Sequence, residues 1–401
     1  MPTVQPIAFF DLPDNTRITT TLAVAEGLAQ QGHPLDYYCL EDSKLLVESV
    51  GANFCCLPSF KAKINGETLQ YRVLEYTLDN VATLVGQLQA SPPALIIFTG
   101  KCLWAAVLAE CLDIPSVCIH TNYLLPRHYF PPFAVLTAGF PSGRRFTQWQ
   151  WYRRDLKLWQ ALQQQYHLHK IHKADLFKWQ PNCINLRGDL NLVYPAREFQ
   201  DNLPDFDDSY HFIGPCYGER PFDDTPVPPA SIYISLGSIK TYNKNADFYR
   251  KCIEAFASAP YQVVMSVGRG LDRTTLGNIP ENVSVLDYVP QLDMLKQASL
   301  FITHGGTNSV WEALLEQVPM LLFPQGGDQH LVANRIQTLN LGQWVKPDIS
   351  ATNLRKLAEK TMHNPNARKS LQQMSKAFHQ AGGTDKAITT IRNFLQQHET
   401  A

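Results

Sequence analysis

Short, continuous apolar runs alternate with helical stretches in two separate parts of the chain, and few architectures accept that pattern. In the first 121 residues the runs IAFFDL (7–12), LDYYCL, NFCCLP, ALIIFTG and PSVCIHT read as strands. Helical stretches fall between them: TTTLAVAEGLAQQG with Gly32 as its stop, SKLLVESVG, and CLWAAVLAECLD. From residue 231 the alternation restarts with SIYISLGS, YQVVMSVG, VSVLDYV, SLFITHGG and PMLLFPQ as strands. DFYRKCIEAFAS, TNSVWEALLEQ and HLVANRIQTLN are the helices between them, and the last fifty residues read as helices. A strand that is apolar on both sides must be covered on both sides, so each part predicts a doubly wound α/β unit with a parallel sheet. A chain of 401 residues is comfortable as two domains of roughly 200 residues. The Pro-, Gly- and Asp-rich stretch PCYGERPFDDTPVPPA marks the linker at 215–230. The expected division is an N-terminal domain over 1–220, a second domain over 221–382, and a C-terminal helix over 383–401 packing back toward the first. Ligands in such sheets bind at the carboxyl ends of the strands, so the expected active site is a cleft between two facing Rossmann-like domains.

Composition narrows the class. Hydrophobic residues make up 45% and charged residues 18%, enough for large cores. The net charge of −1 lacks the basic footprint of a nucleic-acid binder. Nine cysteines, an odd number without CxxC pairs, sit mostly in apolar runs and read as buried, reduced thiols of a cytoplasmic enzyme. The start MPTVQPIAFFDLPDN lacks the basic opening of a signal peptide, and no apolar run reaches the roughly 18 residues of a membrane span.

Residues 123–180 are rich in aromatic and basic side chains. His167, His169 and His172 look metal-like, but no carboxylate or cysteine completes a set. Asp205-Phe206-Asp207 has an Asp-x-Asp form but reads as a solvated loop. Arg144, Arg145, Arg153 and Arg154 could touch a membrane surface or an anionic acceptor, and a solvated helix face gives the same pattern. No metal site is expected.

The stretch YVPQLDMLKQASLFITHGGTNSVWEALLEQVPMLLFPQGGDQHLVANRI (288–336) carries the most chemistry. A strand ends in His304-Gly305-Gly306 and a helix begins near Thr307. Glycines let backbone approach a ligand, and the free N–H groups and dipole of a helix start favour an anion such as diphosphate. His304 and the Ser309 hydroxyl add donors. Glu312, a turn further on, is placed to grip a sugar diol. Asp328 and Gln329 open another helix, where acid and amide groups can read sugar hydroxyls. A structural turn capped by Thr307 would leave the same local pattern.

The block resembles the donor-binding signature of the inverting, metal-independent UDP-glycosyltransferases, a family that includes macrolide, flavonoid and drug glycosyltransferases. The matching pieces are PQ at 290–291, THGGTNS at 303–309, Glu312, VP at 318–319, and P…DQ…AN across 324–334. The resemblance implies a GT-B fold. It implies that His304, Gly306, Asn308 and Ser309 hold the diphosphate, Glu312 the ribose, and Asp328 and Gln329 the transferred sugar. Val289 and Gln291 would frame the base, and Ser238 would touch phosphate or the reacting centre. The implied co-substrate is a UDP-sugar, glucose by default, or a dTDP-sugar, with no metal. Tyr129, Phe130, Phe133, Phe140, Trp149, Trp151 and Trp159 lie where the family builds its acceptor pocket. An aromatic pocket suits a small apolar acceptor, while ordinary core packing would explain each ring singly.

One part departs from the family. Its first strand leads into a turn whose His is the general base, oriented by an Asp in the loop after the fourth strand. Here Arg17 and Thr99 stand at those positions. Asp14, close by, or His128, in the acceptor region, could act instead; a turn-forming Asp and a loop His are the plainer readings. Arg stays protonated and cannot take a proton, but it can stabilise an acidic, phenolic acceptor oxygen. A non-catalytic nucleotide-sugar or partner binder, or a sugar-nucleotide epimerase, is the alternative.

Overall fold

The computed structural model describes residues 5–12, 18–59, 67–127, 129, 145–177, 184–201, 203–217, 228–229, 231–237 and 245–399, with backbone alone for 19, 145–148 and 399. The chain forms two compact units, residues 1–219 with 381–401, and residues 220–380.

Unit 1 is built on a sheet of seven parallel strands. They are β1 (Ile7–Phe10), β2 (Leu35–Cys39), β3 (Asn53–Cys56), β4 (Leu95–Thr99), β5 (Ser116–His120), β6 (Leu190–Val193) and β7 (Tyr210–Phe212), in the order 3-2-1-4-5-6-7. All of β1, β4 and β5 is buried, as their unbroken apolar runs require. On one face pack α3 (Leu69–Ala90), α4 (Leu103–Leu112) and α5 (Arg145–Tyr166), through Val73, Leu84, Trp104 and Trp159. On the other lie α1 (Leu22–Gln30), α2 (Lys44–Ser49) and the C-terminal helix, which joins the core through Ala387, Ile388, Ile391 and Leu395. Thr68 starts α3 by accepting a hydrogen bond from the Tyr71 amide at 3.0 Å.

Unit 2 repeats the plan with six parallel strands: β8 (Ile232–Ser235), β9 (Val263–Ser266), β10 (Val283–Leu286), β11 (Leu300–Thr303), β12 (Met320–Leu322) and β13 (Gly342–Trp344), ordered 10-9-8-11-12-13, with α7 (Ala246–Phe256) as the helix between β8 and β9. The strand order reverses direction between β1 and β4 in unit 1 and between β8 and β11 in unit 2. Those two switch points are where open α/β sheets bind ligands.

Several elements exceed the sequence expectation, among them α3, β6, β7 and β13. The three strands are only three or four residues long, too short for periodicity to show. The stretch 123–180 that reads as aromatic and basic contains α5 and a short helix, α6 (Lys173–Leu176). His172 caps α6, its Nδ1 accepting from the Ala174 amide at 3.1 Å. Asp207 accepts from the Ser209 amide and hydroxyl, a local turn. Among the described residues no group of three His, Cys, Asp or Glu could hold a metal, and no helix is long and apolar enough to cross a membrane. The eight described cysteines are free. Five are buried as the sequence implies, but Cys56 and Cys111 are exposed because they face outward at an edge strand and at the end of a helix.

A buried ion cluster joins three segments of unit 1. Asp175, 2% exposed, accepts Arg127 Nε and Nη2 at 3.1 Å and Arg187 Nε at 3.0 Å. The carboxylate is needed because two guanidiniums converge on it. Asp175→Ala is expected to destabilise unit 1 by about 3 kcal/mol, the low end for opening a buried pair, since both arginines keep some solvent. Urea denaturation monitored on unit 1 tryptophans checks this; a midpoint within error of wild type contradicts it.

Candidate active site

In unit 2 the switch point carries glycine on both strands. Thr303 pairs with Ser235 across β11 and β8, and the strands run into Gly305-Gly306 and Gly237. Gly237 has a φ of +82, a backbone that side chains rarely adopt. The His304 ring lies between Gly237 and Gly306. A Cβ on Gly237 would stand 2.6 Å from its Cε1, and one on Gly306 2.5 Å from its Nε2. The glycines therefore make the space the imidazole occupies. Burial pushes the His304 pKa down to about 4, against the opposing charge of Asp328. At neutral pH the ring is uncharged, with one N–H to donate.

The next helix, α9 (Thr307–Leu315), has Gly306 as its N-cap, so no side chain caps its start. Its first amides and its dipole favour negative charge at that end. Asn308 is half-buried there. Ser309 and Glu312, one turn apart and both buried, share a helix face. Gln291, the first residue of α8 (Gln291–Gln297), donates its Nε2 to Ser309 Oγ at 3.1 Å and to Glu312 Oε2 at 2.6 Å. Its Oε1 lies 3.5 Å from the Tyr233 hydroxyl on β8. Gln291 thus sets the direction of the Glu312 carboxylate. Val289 turns its side chain inward, and the neighbouring Tyr288, 58% exposed, presents the open aromatic face at that strand end. Beside it Arg273 pairs with Asp287 at 2.6 Å.

After β12, Asp328 is half-buried and Gln329 opens α10 (Gln329–Thr338). Gln329 Oε1 accepts from the amides of Gln325 at 2.7 Å and Gly326 at 3.3 Å, which fixes the loop and leaves its side-chain N–H groups to donate. Unit 2 therefore brings Gln291, His304, Gly306, Asn308, Ser309, Glu312, Asp328 and Gln329 to the carboxyl ends of its strands. Gly237 and Tyr288 were missed by sequence reading. The glycine of SLGS was the available signal, but only the fold shows that it faces His304.

In unit 1 the switch point is polar and deeply buried. Asp11 follows β1, and Thr99 ends β4. The Thr99 hydroxyl donates to Asp11 Oδ1 at 3.1 Å. The position that lacks a carboxylate is therefore hydrogen-bonded to one on the neighbouring strand end, a residue that sequence reading passed over. Arg17, Asp14, His128, Phe130, Phe133, Phe140 and Ser238 lie outside the described residues. Tyr129 is half-buried. Trp149 is 51% exposed, with the Arg153 guanidinium 4.9 Å from its ring. Trp159 is a core side chain and not a pocket wall.

Residues 251–382 match the family described as erythromycin biosynthesis protein CIII-like, C-terminal domain. The NDP-glycosyltransferase YjiC of Bacillus licheniformis is 31% identical, with 97% of each chain covered. The demethyllactenocin mycarosyltransferase of Streptomyces fradiae is also 31% identical, over 97% of this chain and 86% of the relative. The solved structure of the glycotransferase of kitacinnamycin superposes with a TM-score of 0.79 at 26% identity, covering 98% of this chain and 99% of that one. The chain belongs to the nucleotide-sugar glycosyltransferase family and has its GT-B fold. It is an enzyme that transfers a sugar from a nucleotide sugar to an acceptor.

The His304 environment has a consequence for stability. The unfolded chain takes up this proton near pH 6.5, the native protein only near 4. The benefit of the neutral ring is complete above pH 6.5 and is lost as pH falls toward 4. Between pH 7 and 5, wild-type unit 2 is expected to lose about 2 kcal/mol more than His304→Gln. Parallel urea melts at the two pH values measure the difference, and equal losses would exclude the buried neutral ring.

Proposed function

We propose that the donor is a UDP-sugar, glucose by default, and that the sugar passes with inversion and without a metal to the hydroxyl of a small, largely apolar, phenolic acceptor. The observation that carries the donor half is the uncapped start of α9 with the neutral His304 ring set between two glycines, and Glu312 aimed by Gln291 one turn away. Helix amides, His304 and Ser309 meet the diphosphate and neutralise it as it leaves, the work a metal does elsewhere. Glu312 grips the ribose diol, which favours UDP over a 2′-deoxy nucleotide such as dTDP. Tyr288, Val289 and Gln291 frame the base, and Asp328 with the Gln329 amide reads the sugar. Ser238, beyond Gly237, is assigned to the phosphate by its place in the sequence.

The acceptor half rests on residue types. Tyr129, Phe130, Phe133 and Trp149 offer aromatic surface for a planar aglycone. Arg17 takes the place of the family's base, and Asp14 and His128 stand near it in sequence or in the acceptor region. A guanidinium cannot accept a proton but stabilises an oxyanion, help that matters for a phenol near pKa ~10 and little for an aliphatic alcohol.

Glu312→Ala is expected to weaken UDP-glucose binding by about 1.5–3 kcal/mol, the range for a charge-assisted hydrogen bond. Binding of the 2′-deoxy nucleotide should change much less, and calorimetry with a chelator present should give the same affinities. Unchanged UDP affinity in the folded variant would sink the assignment.

Across acceptors of similar shape and graded acidity, the transfer rate should rise with acidity, and Arg17→Ala should flatten that slope. Saturated alcohols reacting as fast as phenols would rule out the phenolic acceptor.

A further inference from the structure

The switch point of unit 1 holds a buried charge that the donor chemistry does not use. Asp11 is 1% exposed. Its Oδ1 accepts from the Leu12 amide at 2.7 Å and from Thr99 Oγ1 at 3.1 Å. Its Oδ2 accepts from Thr21 Oγ1 at 2.8 Å, with the Tyr37 hydroxyl at 3.4 Å. A carboxylate buried this deeply costs more than an apolar residue of the same volume. Such a cost is kept at functional sites.

Thr99 connects this charge to the outside of the sheet. Its proton is directed at Asp11, and Cys102 Sγ lies 3.2 Å from the same oxygen. The remaining side of Thr99 walls a polar cavity with Thr20, Lys101, His120 and Asn122. The cavity has about 20 Å³ of free room, which admits a single hydroxyl oxygen or water and excludes a ring. Burial pushes the His120 pKa down to about 4, so this ring is neutral and Lys101 is the cationic wall among the described residues. A hydroxyl entering here meets an oxygen whose own hydrogen already leans on a carboxylate, and hydrogen bonds in such a chain strengthen one another.

We propose that an acceptor hydroxyl seats in this cavity and loses its proton through Thr99 to Asp11. The acceptor proton moves to Thr99 Oγ1 while the Thr99 proton moves to Asp11 Oδ1. The electron pair of the acceptor oxygen forms the bond to the anomeric carbon. The bond from that carbon to the diphosphate breaks, and its electron pair leaves on the diphosphate. Asp11 returns its proton along the same path to water once the product has left. Thr99 is then the catalytic residue and Asp11 the positioning residue behind it. The relay rests on the acceptor reading above: a carboxylate is a weak base, and it suits an acidic hydroxyl such as a phenol.

Three variants test the relay: Thr99→Val, Asp11→Asn, and Asp11→Asn combined with Thr99→Asp. The readouts are kcat, donor KM, UDP affinity by calorimetry, and melting temperature. Thr99→Val is nearly isosteric and should fold; its kcat should fall about 100-fold while UDP affinity stays within about twofold. Asp11→Asn should lose kcat to a similar extent. The double variant puts the carboxylate directly at the cavity wall and should recover kcat to within about tenfold of wild type. A merely structural Asp11 would lower the melting temperature of Asp11→Asn and leave kcat alone, which overturns the proposal. Full activity of Thr99→Val also overturns it, and decides the matter if Asp11→Asn does not fold. Unchanged UDP affinity in Glu312→Ala strikes the donor reading alone. Alcohols matching phenols in wild type strike the acceptor reading alone.

Discussion

A strand that is apolar on both sides has to be covered on both sides, and this constraint shapes each unit. It forces the strands to run parallel, because only crossover connections can lay helices on both faces. Once the crossovers wind outward in two directions from a central strand, the order 3-2-1-4 in one sheet and 10-9-8-11 in the other leaves a gap in the helix cover at β1/β4 and at β8/β11. The polar chemistry of the protein collects at those gaps. Elsewhere the helices bury large side chains such as Trp104, Trp159 and Trp311.

The two switch points handle burial in different ways. In unit 2 the backbone is thinned to glycine, so that an imidazole is enclosed and kept neutral beside an uncapped helix start. Charge there is left for the ligand to bring. In unit 1 a carboxylate is enclosed and surrounded by hydroxyl donors from β2, β4 and the segment before α1 and by the Leu12 amide after β1. Charge there belongs to the protein.

Second-layer contacts turn residue types into a site. Gln291 has one amide on Ser309 and Glu312, and Gln329 spends its carbonyl on the loop at 325–326. A ligand thus meets side chains already directed, and does not have to order them when it binds.

The sequence by itself determined the two α/β units, since unbroken apolar runs alternating with helices allow little else, and the relatives and solved structures agree with that fold. It also marked the His304–Gly306 turn, Glu312 and the Asp328-Gln329 pair, because their order and spacing lie within one strand–turn–helix–strand–helix passage. Short strands such as β7 and β13 left no trace, as three residues give no period. Contacts between residues far apart in the chain were likewise invisible. Gly237 lies 67 residues before the ring it accommodates, and Thr99 is 88 residues from the carboxylate it binds. The sequence showed a missing acid at position 99. Only the pairing of β1 with β4 showed that an acid stands beside it, because neighbours in a parallel sheet are chosen by crossovers and not by proximity along the chain.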